Sequence, residues 1–102
     1  NSINFGPFQF TKYEINDHFK WHLDNEYGDE AVISRRLSIT LQLSNPDNYS
    51  GGILEFESKN IKSTNKMGYV TIFPSHLKHR VTPITNGVRY SLVGWVHGNT
   101  IK

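Results

Sequence analysis

The sequence contains no cysteine, which excludes disulfide bonds and metal sites built from thiolates. Alanine occurs once, whereas aromatic and β-branched residues are frequent, and this balance favours strands over helices. We find no signal peptide and no apolar run near the ~20 residues of a membrane span, so we expect a cytoplasmic protein without membrane contacts. The net charge is only +2 and the basic residues are scattered, which argues against a nucleic-acid partner.

What the chain does contain is a series of short segments in which apolar and polar residues alternate. Segments 8–15 and 18–24 flank an Asn16-Asp17 turn and are predicted to form two paired strands. Segment 35–44 is the clearest strand, and further strands are predicted within 53–58, 68–74, 79–84 and 88–97. Segment 25–34 has no periodicity and is predicted to be a mobile loop, and we find no convincing helix. This pattern predicts a β-sandwich or barrel that forms one domain over residues 1–102, and we expect a monomer.

Two of these strands have faces that bear on function. In segment 35–44 the polar face of Ser38, Thr40 and Gln42 could either meet solvent or line a ligand cavity. In segment 88–97, Arg89 and Trp95 fall on the same face. A solvent-facing surface rarely carries both residue types, so the last strand favours a cavity.

Histidine and aspartate side chains suggest a metal site in that cavity. His22 and Asp24 are two residues apart on an extended segment, so both project to the same side. We favour His79, which opens a strand, as the third ligand over the loop residue His76, with His18 and His97 less favoured. Two imidazoles and one carboxylate are typical of non-haem Fe(II) oxygenases, but zinc hydrolases use the same residue types, so the ligands alone leave the metal open.

Arg89 narrows the choice of ligand. A cavity-facing arginine needs an anionic partner because an unpaired buried charge costs several kcal/mol. No acidic residue of the last three predicted strands is placed to pair with it. A dicarboxylate ligand could supply that partner through a bidentate contact with the guanidinium.

The order and spacing of His22-x-Asp24, His79 and Arg89 resemble the signature of the Fe(II)- and 2-oxoglutarate-dependent dioxygenases. More narrowly, the stretches FKWHLDN (19–25), YSGGILEF (49–56) and HRVTPITNGVRYSLVGW (79–95) resemble the prolyl hydroxylase group, including the PKHD-type hydroxylases. The resemblance covers about residues 9–97. It implies an all-β double-stranded β-helix, a cupin-like jelly roll, here in a minimal form with little or no flanking helix.

The resemblance also implies cofactors and residue roles. Fe(II) would be held by His22, Asp24 and His79, and 2-oxoglutarate and O2 would be cosubstrates. Arg89 would bind the far carboxylate of 2-oxoglutarate. The other residues expected to bind the cosubstrate are Tyr13, Ser91, Thr40 and Gln42.

The activity implied by the resemblance is hydroxylation of a prolyl residue in a protein or peptide, coupled to conversion of 2-oxoglutarate to succinate and CO2. We expect Trp95 to form a wall of the substrate site, and Arg35 and Arg36, at the end of the loop 25–36, to hold the peptide. One alternative is an oxygenase of the same superfamily that acts on nucleic acid or a small molecule. Nucleic-acid demethylases of that superfamily typically have a second arginine where this chain has Trp95. The other alternative is a non-catalytic, cupin-like binding module.

Overall fold

The structure, a computed structural model, describes residues 3–98 and contains ten strands. They are β1 (Ile3–Phe5), β2 (Gln9–Tyr13), β3 (Phe19–His22), β4 (Arg35–Gln42), β5 (Tyr49–Gly51), β6 (Leu54–Phe56), β7 (Val70–Pro74), β8 (His79–Val81), β9 (Ile84–Gly87) and β10 (Arg89–Gly98). The helical structure is limited to α1 (Glu30–Ile33) and a 3-10 turn at Pro46–Asn48. No helix within residues 3–98 is long and apolar enough to cross a membrane. The prediction of an all-β chain with little flanking helix is confirmed.

The strands form two principal antiparallel sheets with a cavity between them. In the major sheet β10 is central, pairing with β4 on one edge and with β1 and β2 on the other, while β7 pairs with β4. The minor sheet has the order β3-β8-β6, and β5 and β9 form a separate pair. Side chains from both sheets line the cavity, and the buried residues Phe56, Phe73 and Ile84 form the small apolar core.

The predicted pairing of segments 8–15 and 18–24 is wrong. β2 pairs with β10 in the major sheet, whereas β3 pairs with β8 in the minor sheet. The intervening turn has one internal backbone bond, from Asp17 N–H to the Glu14 carbonyl, but does not close a hairpin. It bonds instead to Ile84: Asn16 N–H donates to the Ile84 carbonyl and Ile84 N–H donates to the Asp17 carbonyl. Asn16 has a φ of 74°, a left-handed conformation that asparagine tolerates better than most residues. The turn therefore carries the chain from one sheet to the other.

The two faces of β4 reverse the usual pattern of burial. Ser38 and Gln42 are 1% and 3% exposed, whereas Leu37 on the opposite face is 39% exposed. The polar face points into the space between the sheets, as the cavity alternative requires. The apolar face belongs to the outer surface of the major sheet, where Phe10 and Ile72 are also exposed.

The segment 25–34 contains a helical turn that its lack of periodicity concealed. α1 begins after Asp29, whose carboxylate accepts a hydrogen bond from the backbone N–H of Val32. An aspartate at this position satisfies an N–H group that the helix leaves unpaired. The prediction that the chain has no helix at all is thus wrong by one turn, and the capping residue was the available signal.

Candidate functional site

Three side chains in or next to the minor sheet converge on one wall of the cavity. His22 ends β3 and lies opposite His79, the first residue of β8, while Asp24 lies two residues after the end of β3. The Nε2 atoms of the two histidines each lie 3.1 Å from Oδ1 of Asp24. The three candidate ligand atoms all lie within 4.8 Å of one another, a spacing that one metal ion could bridge. His76 is exposed and does not belong to this group, so the structure brings His79 to the cluster.

Hydrogen bonds at the far side of each imidazole fix its orientation. Nδ1 of His22 lies 2.6 Å from the Lys20 carbonyl oxygen, and Nδ1 of His79 lies 2.8 Å from the Leu77 carbonyl oxygen. A carbonyl can only accept, so each Nδ1 carries the proton. In a neutral ring the lone pair of Nε2 is then directed at the Asp24 carboxylate. A cation between them would relieve the repulsion of these lone pairs, which is the ordinary arrangement of metal-binding histidines.

The same contacts control the protonation of the cluster. Burial alone would raise the pKa of the Asp24 carboxyl, but hydrogen bonds from His22 and His79, which form when Nε2 also carries a proton, and from Ser38 hold this pKa well below its ordinary value of 3.8. Burial alone would lower the pKa of His22, but the bonds to Asp24 and to the Lys20 carbonyl outweigh it and raise this pKa above 6.5. The carboxylate is therefore charged at neutral pH, ready to bind a cation.

The cavity beside this cluster has a volume of about 610 Å³ and is also lined by Arg89. Arg89 is 7% exposed, and its Nε donates to Oε1 of Gln42 at 3.1 Å. Its guanidinium carbon lies 5.9 Å from the centroid of the Tyr13 ring on the paired strand β2. Among residues 3–98 no carboxylate lies within ion-pairing distance of Arg89. The cavity thus offers a desolvated positive charge to an anionic ligand.

Other predicted cosubstrate residues surround Arg89 in different ways. Ser91 is 2% exposed, and its hydroxyl lies 2.5 Å from the Thr11 hydroxyl, while Thr40 lines the cavity directly. Gln42 lies behind Arg89 and lines a second cavity of about 520 Å³. Its amide nitrogen donates to the Tyr49 hydroxyl at 2.8 Å. Gln42 therefore contacts Arg89 and does not line the larger cavity.

Comparison with known proteins identifies the family to which this arrangement belongs. A sequence model of the 2OG-Fe(II) oxygenase superfamily matches residues 8–97. The chain belongs to this superfamily. It is 42% identical over 99 residues to a PKHD-type hydroxylase of Hyphomonas neptunium and 36% identical over 92 residues to one of Crocosphaera subtropica. These matches cover 92% and 87% of the chain but 44% and 41% of the relatives, so the chain spans less than half the length of either.

Solved structures confirm that this 2OG-Fe(II) oxygenase chain has the double-stranded β-helix fold. A prolyl-4-hydroxylase of Pseudomonas putida matches with a TM-score of 0.70 at 26% identity, covering 90% of this chain and 52% of that one. The viral collagen prolyl hydroxylase of Paramecium Bursaria Chlorella virus-1 matches with a TM-score of 0.76, covering 98% of this chain and 63% of that one. At its 20% identity the second likeness concerns the fold alone.

Of the three residues predicted to contact substrate, two line the cavity and one does not. Arg35 lies at the start of β4 and lines the cavity, as does Trp95. The guanidinium of Arg36 instead donates to the carbonyl oxygens of Ile33 and Arg35, and Arg36 does not line this cavity. Both arginines belong to a strand and not to a mobile loop. Their neighbouring positions in an alternating strand explain why only one of them reaches the cavity.

The structure adds residues that sequence reasoning missed. Thr11 lines the cavity two residues before Tyr13, a spacing on β2 that could have identified it. Ser75 is fully buried next to Ser38, and both lie close to Asp24. Nothing in the sequence around Ser75 pointed to this position, because it follows β7 in what resembles an ordinary proline-serine loop.

Proposed function

We propose that this chain is the core domain of an Fe(II)- and 2-oxoglutarate-dependent hydroxylase that acts on prolyl residues of a protein or peptide. The observation that carries the proposal is a single cavity lined both by a 2-His-1-carboxylate cluster and by Arg89, which has no ion-pair partner among residues 3–98. This combination provides separate places for a metal and for a distant carboxylate. Hydrolysis by a zinc ion would give Arg89 no comparable role.

The residues present are chemically suited to Fe(II). His22, His79 and Asp24 would supply two imidazole nitrogens and one carboxylate oxygen, the ligand set of non-haem Fe(II) oxygenases. Both imidazoles already have their Nδ1 atoms bonded to backbone carbonyls, so no rearrangement of the rings is required to expose Nε2. Fe(II), 2-oxoglutarate and O2 together would supply the oxidation, giving succinate and CO2 and placing one oxygen atom on a substrate carbon.

The protein's part in this reaction is to bind and orient. Arg89 would bind the carboxylate of 2-oxoglutarate that lies away from the metal, in a charge-assisted contact strengthened by burial. The Gln42 amide holds Arg89 in place from behind. Burial raises the pKa of Tyr13, so its hydroxyl would keep its proton and donate a hydrogen bond to the same carboxylate. Ser91 and Thr40 would line the remainder of this subsite.

Two observations support a peptide substrate. The cavity is lined by Trp95 and Arg35, an apolar wall next to a hydrogen-bond donor, which suits a prolyl ring next to a backbone carbonyl. The Pseudomonas putida relative is a prolyl-4-hydroxylase by name. The single domain over residues 1–102, the monomeric state and the cytoplasmic location remain predictions from the sequence.

The decisive experiment incubates proline-containing peptides with the protein, Fe(II), 2-oxoglutarate and O2. Mass spectrometry should detect peptides heavier by one oxygen atom, with succinate formed in parallel. His79→Ala should abolish both products, whereas His76→Ala, which removes an exposed histidine outside the cluster, should retain them. Succinate formation with oxidation of a nucleic acid and of no peptide would contradict the substrate. A folded protein that binds 2-oxoglutarate but forms no succinate would indicate a binding module.

A further inference from the structure

The two carboxylate oxygens of Asp24 have different surroundings. Oδ1 faces the Nε2 atoms of His22 and His79, each at 3.1 Å. Oδ2 accepts hydrogen bonds from the indole N–H of Trp95 at 3.0 Å and from the hydroxyl of Ser38 at 2.5 Å. A carboxylate oxygen has two lone-pair sites, so these two donors occupy Oδ2. Only Oδ1 remains available to a cation.

A second buried serine holds Ser38 in this role. Ser75 is fully buried, and its hydroxyl oxygen lies 2.9 Å from that of Ser38. Because the single hydroxyl proton of Ser38 is given to Asp24, the Ser75 hydroxyl must donate to Ser38. The backbone carbonyl of Ser75 also accepts the N–H of Asp24 at 3.0 Å. Ser75 therefore fixes Asp24 twice, through its backbone and through Ser38.

Trp95 is held just as firmly. The guanidinium of Arg35 lies over its ring at 3.6 Å from the centroid, and Nη1 of Arg35 donates to the Asp24 carbonyl oxygen at 3.2 Å. Stacking of a guanidinium on an indole is favourable and limits rotation of the ring. Asp24, which follows a strand of the minor sheet, is thus tied to β4 and β10 of the major sheet and to the residue that follows β7.

We infer that Ser38, Ser75 and Trp95 are positioning residues that restrict Asp24 to binding the metal through one oxygen. The inference rests on the proposed metal centre. A 2-His-1-carboxylate centre is useful to an oxygenase because it leaves coordination positions open. A second oxygen from Asp24 would occupy one of the positions that the cosubstrates need. The hydrogen bonds to Oδ2 prevent this and also lower the freedom of the carboxylate before metal arrives.

The test measures metal binding without turnover, using Co²⁺ as the probe. Ser38→Ala removes the hydroxyl donor, and Trp95→Phe removes the indole N–H while retaining a ring against Arg35. Each should weaken Co²⁺ binding by about 10- to 100-fold, the usual effect of removing a hydrogen bond to a metal ligand. Each should also alter the intensity of the visible d–d absorption of bound Co²⁺, which responds to coordination number. Ser75→Ala should shift both quantities in the same direction.

The matched control is Ser44→Ala. Ser44 is 8% exposed and its hydroxyl oxygen accepts the Tyr90 N–H at 2.7 Å, so this variant also loses a buried hydroxyl hydrogen bond, but at a site without contact to Asp24. It should keep the wild-type Co²⁺ affinity and spectrum. Thermal unfolding of the metal-free proteins identifies variants that fold, and Trp95→Phe supplies the test if Ser38→Ala does not.

Three results would overturn the inference. Wild-type affinity and spectrum in folded Trp95→Phe would show that the donors to Oδ2 do not restrict the carboxylate. Equal weakening in Ser44→Ala would show that loss of any buried hydroxyl has the same effect. A wild-type chain that binds no Co²⁺ would reject the proposed metal centre itself and the inference with it, whereas the first two results leave that centre standing.

Discussion

The guanidinium carbon of Arg35 lies 3.6 Å from the centroid of the Trp95 ring, inside the cavity that also contains the His22, Asp24 and His79 cluster. Nη1 of Arg35 donates a hydrogen bond to the Asp24 carbonyl oxygen, while its Nε is buried and has no hydrogen-bond partner among residues 3–98. Burial lowers the pKa of this guanidinium, although it stays charged at neutral pH. The pair thus places a cation and an aromatic ring next to the proposed metal site.

At a saturating concentration of Fe(II), Arg35→Ala should weaken peptide binding without changing the requirement for 2-oxoglutarate. Loss of a charged donor and of its support for Trp95 should raise the KM for a prolyl peptide by about tenfold or more, ~1.4 kcal/mol. Arg36→Ala is the control, because Arg36 is the next residue on β4 but does not line the cavity. Steady-state kinetics for both substrates make the comparison. Equal effects of the two substitutions on the peptide KM would contradict the assignment.

Arg89→Ala should raise the concentration of 2-oxoglutarate needed for half-maximal activity by at least about tenfold, because a buried charge-assisted contact is lost. Arg80→Ala also removes one arginine, but from a partly exposed ion pair with Glu55 at 2.7 Å. This control should leave the 2-oxoglutarate requirement unchanged. Titration of 2-oxoglutarate at a saturating metal concentration measures both variants. An unaltered requirement in Arg89→Ala would remove the main support for this cosubstrate.

The stability of the metal-free protein should depend on pH because the pKa values of His22 and Asp24 change on folding. Folding raises the pKa of His22, so protonated His22 stabilises the folded protein below about pH 6.5. This stabilisation is lost as the pH rises through the higher pKa of the folded state. The pKa of Asp24 is lowered, so its contribution is present above about 3.8 and is lost as pH falls. Thermal unfolding in the presence of a chelator should therefore show greatest stability from this cluster between these two values.

Bound metal should offset the loss of stability that the metal-free protein shows as the pH rises above neutral. Binding requires Nε2 of both histidines to be unprotonated, so stabilisation by Mn²⁺ should increase as the pH is raised from 6 to 8. The measurement is the difference in Tm between samples with Mn²⁺ and samples with chelator. His76→Ala should give the same difference as the wild type. A difference that does not change with pH would argue against histidine ligands.

The core and the outer face of the major sheet should respond differently to truncation. Ile84 is fully buried, and Ile84→Ala should lower the free energy of unfolding by about 2–5 kcal/mol. Ile72 is 60% exposed on the outer face, and Ile72→Ala should cost less than about 1 kcal/mol. Urea denaturation of the two variants measures the difference. Similar losses for both would mean that the outer face is covered in solution.

Much of the site could be predicted from local sequence because it depends on the alternation of side chains along a strand. Arg89, Ser91 and Trp95 share a face because they are separated by even numbers of residues, as are Ser38 and Thr40, and all five line the cavity. The same rule places the side chains of residues 22 and 24 on one side of the chain. The motif order that resembles the dioxygenases is likewise a property of the sequence.

The sequence by itself determined which faces are polar and which residue types could bind a metal and a dicarboxylate. It could not determine which strands pair, because β2 and β10 are far apart in the chain and the turn after β2 bonds to Ile84, which is also distant in the sequence. Nor could it find the role of Ser75, whose contacts with Ser38 and Asp24 bring together three separate segments. Alternation is a local consequence of backbone geometry, whereas the surroundings of the Asp24 carboxylate exist only after the two sheets have packed together.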